Sequence, residues 1–186
     1  MDTLFYPLLL ERGSCHVPKK MLVTEELLQK KLIIIPVNQV DYHWSLMLIL
    51  RPDFIFKPVK GFNHGKNKTR IIGLDSMMHT NKINKKAHLA VITWLNAMIK
   101  GYKSIVHPLS KYTVPLLQPE VPQQVNGFDC GVYCLQFAEI VYKKIEEYSH
   151  TDHQDDHLTR VIADLFTNVN ERSISNFRTD FLTELQ

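Results

Sequence analysis

Apolar residues along this chain fall into two patterns. The runs LIIIPV (residues 32–37) and HWSLMLIL (43–50) are dense, rich in β-branched and aromatic residues, and separated by the polar NQVDY. Such runs predict strands covered on both faces. A third, RIIGLDS, predicts a shorter strand ending at Asp75. Elsewhere the spacing is helical. TEELLQKK, with Thr24 as N-cap ahead of two acids, predicts a short helix, and KKAHLAVITWLNAMIK (85–100) an amphipathic one carrying Trp94. The segment CGVYCLQFAEIVYKKIEEY (130–148) spreads Val132, Tyr133, Leu135, Phe137, Ala138, Ile140 and Val141 around much of a helix surface, as a central buried helix requires. LTRVIADLFTNV and SISNFRTDFLTEL predict one or two surface helices at the end.

The connections differ in character. Residues 51–70, RPDFIFKPVKGFNHGKNKTR, hold two prolines, two glycines and several cations without a helical period, which predicts a long basic loop with room for a hairpin. Its cations, Lys57, Lys60, Lys66, Lys68 and Arg70, are expected to be solvated. SHTDHQDDH, with His150, His153 and His157 among Asp152, Asp155 and Asp156, is expected to be a solvated linker in preference to a metal site. Strands and helices in this irregular order point to α+β.

At 186 residues, 45% apolar and 22% charged, the chain suits one globular domain over residues 1–186. A net charge of +3, with Lys and Arg scattered instead of striped, argues against nucleic acid as a partner. Three cysteines, Cys15, Cys130 and Cys134, cannot all pair within the chain and fit a reducing compartment. Pro7 interrupts the short apolar run near the start, which resembles neither a signal peptide nor an anchor. No run approaches the roughly 18 apolar residues of a membrane span. A soluble, intracellular monomer without cofactor or metal is the expectation, since Cys130 and Cys134 have no second pair to complete a zinc site.

QQVNGFDCGVY brings a turn-forming Asn126-Gly127 into Cys130 at the predicted helix start, with Asp129 as a possible N-cap. Unpaired N–H groups and the helix dipole favour a thiolate there. Taken alone, a free cysteine is more often a small buried hydrophobe, the reading kept for Cys134. A nucleophile also needs a base, an acceptor to orient it and donors for an oxyanion. His43 at a strand start, Asp75 at a strand end and the Gln124 side-chain amide, beside the Cys130 backbone N–H, are the candidates. Trp44 could pack beside the base and wall a channel for substrate. Trp94, Tyr133 and Phe137 are most simply core, and Cys15-His16 lacks a third partner.

DYHWSLMLI, IIGLDSM and PQQVNGFDCGVY, in that order, resemble the H-W, D-S and Q-x-N-x-x-D-C-G signatures of the Ulp1/SENP family of ubiquitin-like-protein proteases. The resemblance implies a papain-like α+β fold, a central mixed sheet with the cysteine on a central helix. It implies Cys130 as nucleophile, His43 as base, Asp75 as its orienter and Gln124 in the oxyanion hole. It also implies cleavage after the C-terminal Gly-Gly of a ubiquitin-like modifier, with SUMO favoured, in lysine conjugates and precursors, and residence in nucleus or cytoplasm. NEDD8 or ubiquitin as the modifier, an acetyltransferase on the same Cys-His-Asp site, and a silent binding module are the alternatives. The family's N-terminal helix with a Trp-Leu-Asn-Asp-like segment has no counterpart here, where the tryptophans are Trp44 and Trp94. The chain is therefore expected to start inside the family's domain or to close its tunnel differently. The 51–70 loop is also longer than the family's short hairpin.

Overall fold

A computed structural model describes residues 25–39, 42–56, 68–77, 81–100, 108–148 and 155–184. A one-turn helix, α1 (Glu25–Leu28), leads into β1 (Leu32–Gln39), which turns back through Tyr42 into β2 (His43–Leu50). Then come a 3₁₀ turn (Pro52–Phe56), β3 (Arg70–Leu74) and α2 (Asn81–Ile99). A two-residue β4 (Leu116–Leu117), α3 (Cys130–Tyr148), α4 (Asp155–Asp164) and α5 (Glu171–Glu184) complete the order. The sheet runs β1-β2-β3-β4, antiparallel in its first two pairings and parallel between β3 and β4. This is the mixed central sheet of the α+β expectation, with Cys130 opening a long helix.

The period-two alternation of strand side chains decides which helix covers which face. Ile33, Ile35, Val37, Met47, Ile49 and Ile71 turn to one face, where Val91, Trp94, Leu95 and Ile99 of α2 cover them. Leu46, Leu48, Leu50, Ile72 and Leu74 turn to the other, against Tyr133, Phe137 and Val141 of α3 and against Leu158, Ile162, Phe166 and Ile174 further along. Phe137 joins these layers by ring contact with Phe166, centroids 4.7 Å apart. At Gly73 an added Cβ would stand 3.2 Å from the Asn84 side chain, so this glycine lets α2 approach β3 closely.

Four expectations change. β1 is longer than its apolar run and is covered fully on one face only; Leu32, Ile34 and Pro36 stay half-buried because β1 is the edge strand. Part of the expected loop, Pro52–Phe56, is a 3₁₀ turn, and residues 57–67, with any hairpin there, lie outside the described residues. Lys68 and Arg70 are not solvated: Nζ and Nε each donate to the Asp155 carboxylate at 2.7 Å. Asp155, read as linker, is thus the first residue of α4 and ties it to the start of β3. β4 was not expected, since two residues carry no period. His150, His153 and Cys15-His16 lie outside the described residues, among which no cluster could hold a metal ion. Among the described residues, no helix is long and apolar enough to cross a membrane.

Candidate active site

His43 is the first residue of β2 and Asp75 follows the last residue of β3, so antiparallel pairing brings both to one end of the sheet. His43 Nε2 lies 2.7 Å from Asp75 Oδ1, with both side chains under a tenth exposed. Asp75 Oδ1 also accepts from the Met77 backbone N–H at 2.9 Å, which fixes the carboxylate from behind. With Nε2–H donating to Asp75, the lone pair falls on Nδ1, which is buried without a hydrogen-bond partner among the described residues. An imidazole held in this tautomer can take a proton at Nδ1.

Cys130 opens α3, buried at 6% exposure. The start of β2 abuts this helix start: Trp44 Cδ1 lies 3.8 Å from the position a Cβ would take on Gly131. Trp44 and Cys130 line one groove of about 570 Å³, with Leu46, Phe128, Phe177 and Phe181. Its wall is largely apolar and rests on α3, α5 and the half-buried face of β1. Cys134 lines it too, and burial pushes its thiol up, with Cys130 and Asp75 adding in the same direction. It stays protonated and belongs to the core, as expected.

The turn ahead of Cys130 is closed differently from the Asn-Gly expectation. Asn126 Oδ1 accepts the backbone N–H groups of Phe128 and Asp129 at 3.1 and 3.0 Å. Nothing stands within 4 Å of a Cβ on Gly127, and its backbone does not require glycine. The asparagine side chain makes the turn. Asp129 stands where an N-cap would, and its backbone carbonyl accepts from Tyr133 N at 3.0 Å. Its carboxylate has other partners: Oδ2 accepts from Asn126 Nδ2 at 2.8 Å and Oδ1 from Arg178 Nη2 of α5.

Gln124 is held at both ends of its amide. Oε1 accepts from Ser76 Oγ at 2.7 Å and Nε2 donates to the Asn126 carbonyl at 2.6 Å, while the Gln124 backbone N–H donates to Ser76 O at 2.9 Å. One N–H of the amide is thus engaged and the other is open to a further acceptor. His43 and Asp75 are therefore brought together, Trp44 and Cys130 share a groove, and Gln124 is anchored beside Asp75 through Ser76. Sequence reasoning missed Ser76 and Arg178. The first was legible as the neighbour of Asp75, whereas the second sits on a surface helix with no local signal.

The description "Ulp1 protease family, C-terminal catalytic domain" matches residues 1–181. Ubiquitin-like-specific protease 2 of Saccharomyces cerevisiae is 25% identical over 93% of this chain and 18% of its own length. Sentrin-specific protease 2 of Homo sapiens is 23% identical over 82% of this chain and 23% of its own. The chain thus spans about a fifth of the length of these curated relatives. Among solved structures, one described as the crystal structure of the de-sumoylating protease superposes with a TM-score of 0.67 at 25% identity, covering 97% of this chain and 67% of the other. SUMO protease Ulp1 with its catalytic cysteine oxidised to a sulfonic acid shares the fold at a TM-score of 0.55 and 18% identity, covering 96% and 63%. The papain-like architecture expected from the motifs is the architecture of these neighbours, and the chain belongs to the Ulp1 protease family.

Proposed function

We propose that this chain is a thiol isopeptidase and endopeptidase that cuts after the C-terminal Gly-Gly of a ubiquitin-like modifier, releasing SUMO from lysine conjugates and from its precursor. The observation that carries this reading is the buried His43–Asp75 contact, which leaves Nδ1 as the proton acceptor beside the helix that Cys130 opens. Family membership and the similarity to the yeast ubiquitin-like-specific protease support a ubiquitin-like modifier, and the similarity to the de-sumoylating protease supports SUMO.

In the reaction, His43 Nδ1 takes the Cys130 proton and the thiolate attacks the Gly carbonyl carbon. The C=O electron pair moves to oxygen, where the second N–H of Gln124 and the Cys130 backbone N–H stabilise it. The carbonyl re-forms as the C–N bond breaks, and the proton on His43 passes to the leaving lysine amine. Water, deprotonated by His43, then hydrolyses the thioester and restores the thiol. Asp75 holds the ring in the tautomer that makes this possible. A thin Gly-Gly tail fits a channel walled by Trp44, and exclusion of bulkier side chains gives the specificity. Most of the affinity comes from the folded body of the modifier, since a short tail buries little surface. The protein would act as a monomer, as a single domain, in nucleus or cytoplasm.

The test is covalent capture by SUMO, NEDD8 and ubiquitin carrying C-terminal electrophiles, and by a Gly-Gly peptide with the same electrophile. SUMO should label wild type, far faster than the peptide does, and should not label Cys130→Ala. Equal labelling by peptide and SUMO would contradict recognition through the folded body. Labelling by none of the modifiers, together with acetyl transfer from acetyl-CoA, would give the site to the acetyltransferase alternative. On a slow, chemistry-limited substrate, Gln124→Ala should lose roughly 10²-fold in kcat.

A further inference from the structure

We propose that Arg178 of α5 is a positioning residue that keeps the Cys130 thiol reactive at neutral pH by neutralising the Asp129 carboxylate beside it; this rests on Cys130 being the nucleophile. Asp129 directly precedes Cys130 and is 7% exposed. An anion so placed opposes a neighbouring thiolate through like charge and is costly to bury alone. Arg178 Nη2 donates to Asp129 Oδ1, joining residues 49 apart in the sequence. Arg178 lines the same groove as Cys130.

The titratable and charged groups around this end of α3 come from every element packed there. Among the described residues they are His43 and Asp75 from the sheet, Asp129 of the entry turn, Tyr133 and Cys134 on α3 itself, and Glu171 and Arg178 on α5. In that set Asp75 has His43 as its partner, and Arg178 is the permanent cation set against Asp129. The contact also steadies the turn. Asp129 Oδ2 holds Asn126 Nδ2, the Asn126 carbonyl holds Gln124 Nε2, and Gln124 Oε1 holds Ser76, next to Asp75. One ion pair on the last helix thereby anchors a relay of hydrogen bonds that passes the nucleophile and ends at the acid.

The experiment is alkylation of the full chain by iodoacetamide across pH, followed by mass on the Cys130 peptide. Arg178→Gln should move the pH profile upward by about one unit and slow alkylation at neutral pH about tenfold, whereas Arg178→Lys should stay near wild type. Asp129→Asn keeps an acceptor for Asn126 and removes the anion, so in that background Arg178→Gln should bring the profile back to that of wild type, the two opposed charges being lost together. A wild-type profile for Arg178→Gln alone, or a double variant that stays as far shifted as Arg178→Gln, would overturn the proposal. If Arg178→Gln alone melts too low to assay, the double variant must match wild type, and an upward shift in it overturns the proposal equally. Failure here leaves SUMO capture at Cys130 intact, whereas capture by the Cys130→Ala chain would sink the nucleophile assignment itself.

Discussion

The two faces of the sheet are built from the same strands and finished differently. On the α2 face, Met47, Ile49 and Ile71 meet Trp94 and Leu95, all with essentially no exposure, and the ionisable ring of His88 is capped by the Val114 carbonyl at 2.8 Å. On the α3 face the layers close around Phe137 and Phe166 but part toward β1, where Trp44 and Cys130 meet solvent through the groove. A complete seal fixes the strands whose ends carry His43 and Asp75. An incomplete one leaves Cys130 reachable through the groove. Stability and chemistry are therefore separable by face, and substitutions should separate them.

The largest effect belongs to the open end. Asp75→Asn keeps the shape of the His43 contact but permits the wrong ring tautomer, and should cost up to roughly 10⁴-fold in kcat while the melting temperature hardly moves. A comparable loss of melting temperature would mean that the pair holds the fold, and the distinction between faces would fail. Next comes the sealed side, where Trp94→Ala should cost about 3–5 kcal/mol in denaturant unfolding because no neighbour can refill the volume.

Acid should loosen the faces in sequence. Burial pushes the His88 ring below 6.5, and the hydrogen bond to Val114 offsets this only in part. Folded His88 thus binds its proton more weakly than in the unfolded chain, so stability is full above pH 6.5 and declines as pH falls through that value. Burial alone would raise Asp155, but the hydrogen bonds and charges of Lys68 and Arg70 outweigh it and hold the carboxyl below 3.8. Its contribution is present above pH 3.8 and disappears as pH falls through the lower folded value. Melting temperature against pH should therefore lose its first decline in His88→Gln, while Asp155→Asn should be weaker than wild type at pH 7 and converge with it in strong acid. The smallest effect is expected at the groove rim, where Leu182→Ser, 54% exposed, should stay within about 0.5 kcal/mol of wild type.

What could be read in the sequence follows the range of the interactions. HWSLMLIL announced β2 because a strand buried on both faces writes its environment into every residue, and CGVYCLQFAEIV announced α3 for the same reason. The His43–Asp75 contact was legible because the two strand ends carry it. β4 was not, since Leu116–Leu117 is recruited by pairing with Ile71 and Ile72 and not by its own pattern. Lys68, Arg70 and Asp155 looked solvated because their pairing spans 85 residues or more. Arg178 was hidden likewise: a cation on an amphipathic helix reads as surface until the helix has a place to dock.

The His43–Asp75 contact closes a segment 32 residues long, and Arg178 reaches Asp129 across 49. Each closure loses chain entropy before any chemistry is gained. During synthesis His43 and Asp75 emerge before Cys130, and α5, which brings Arg178 to Asp129, emerges after it. A growing chain therefore holds the Asp129 carboxylate without its guanidinium partner until α5 has docked.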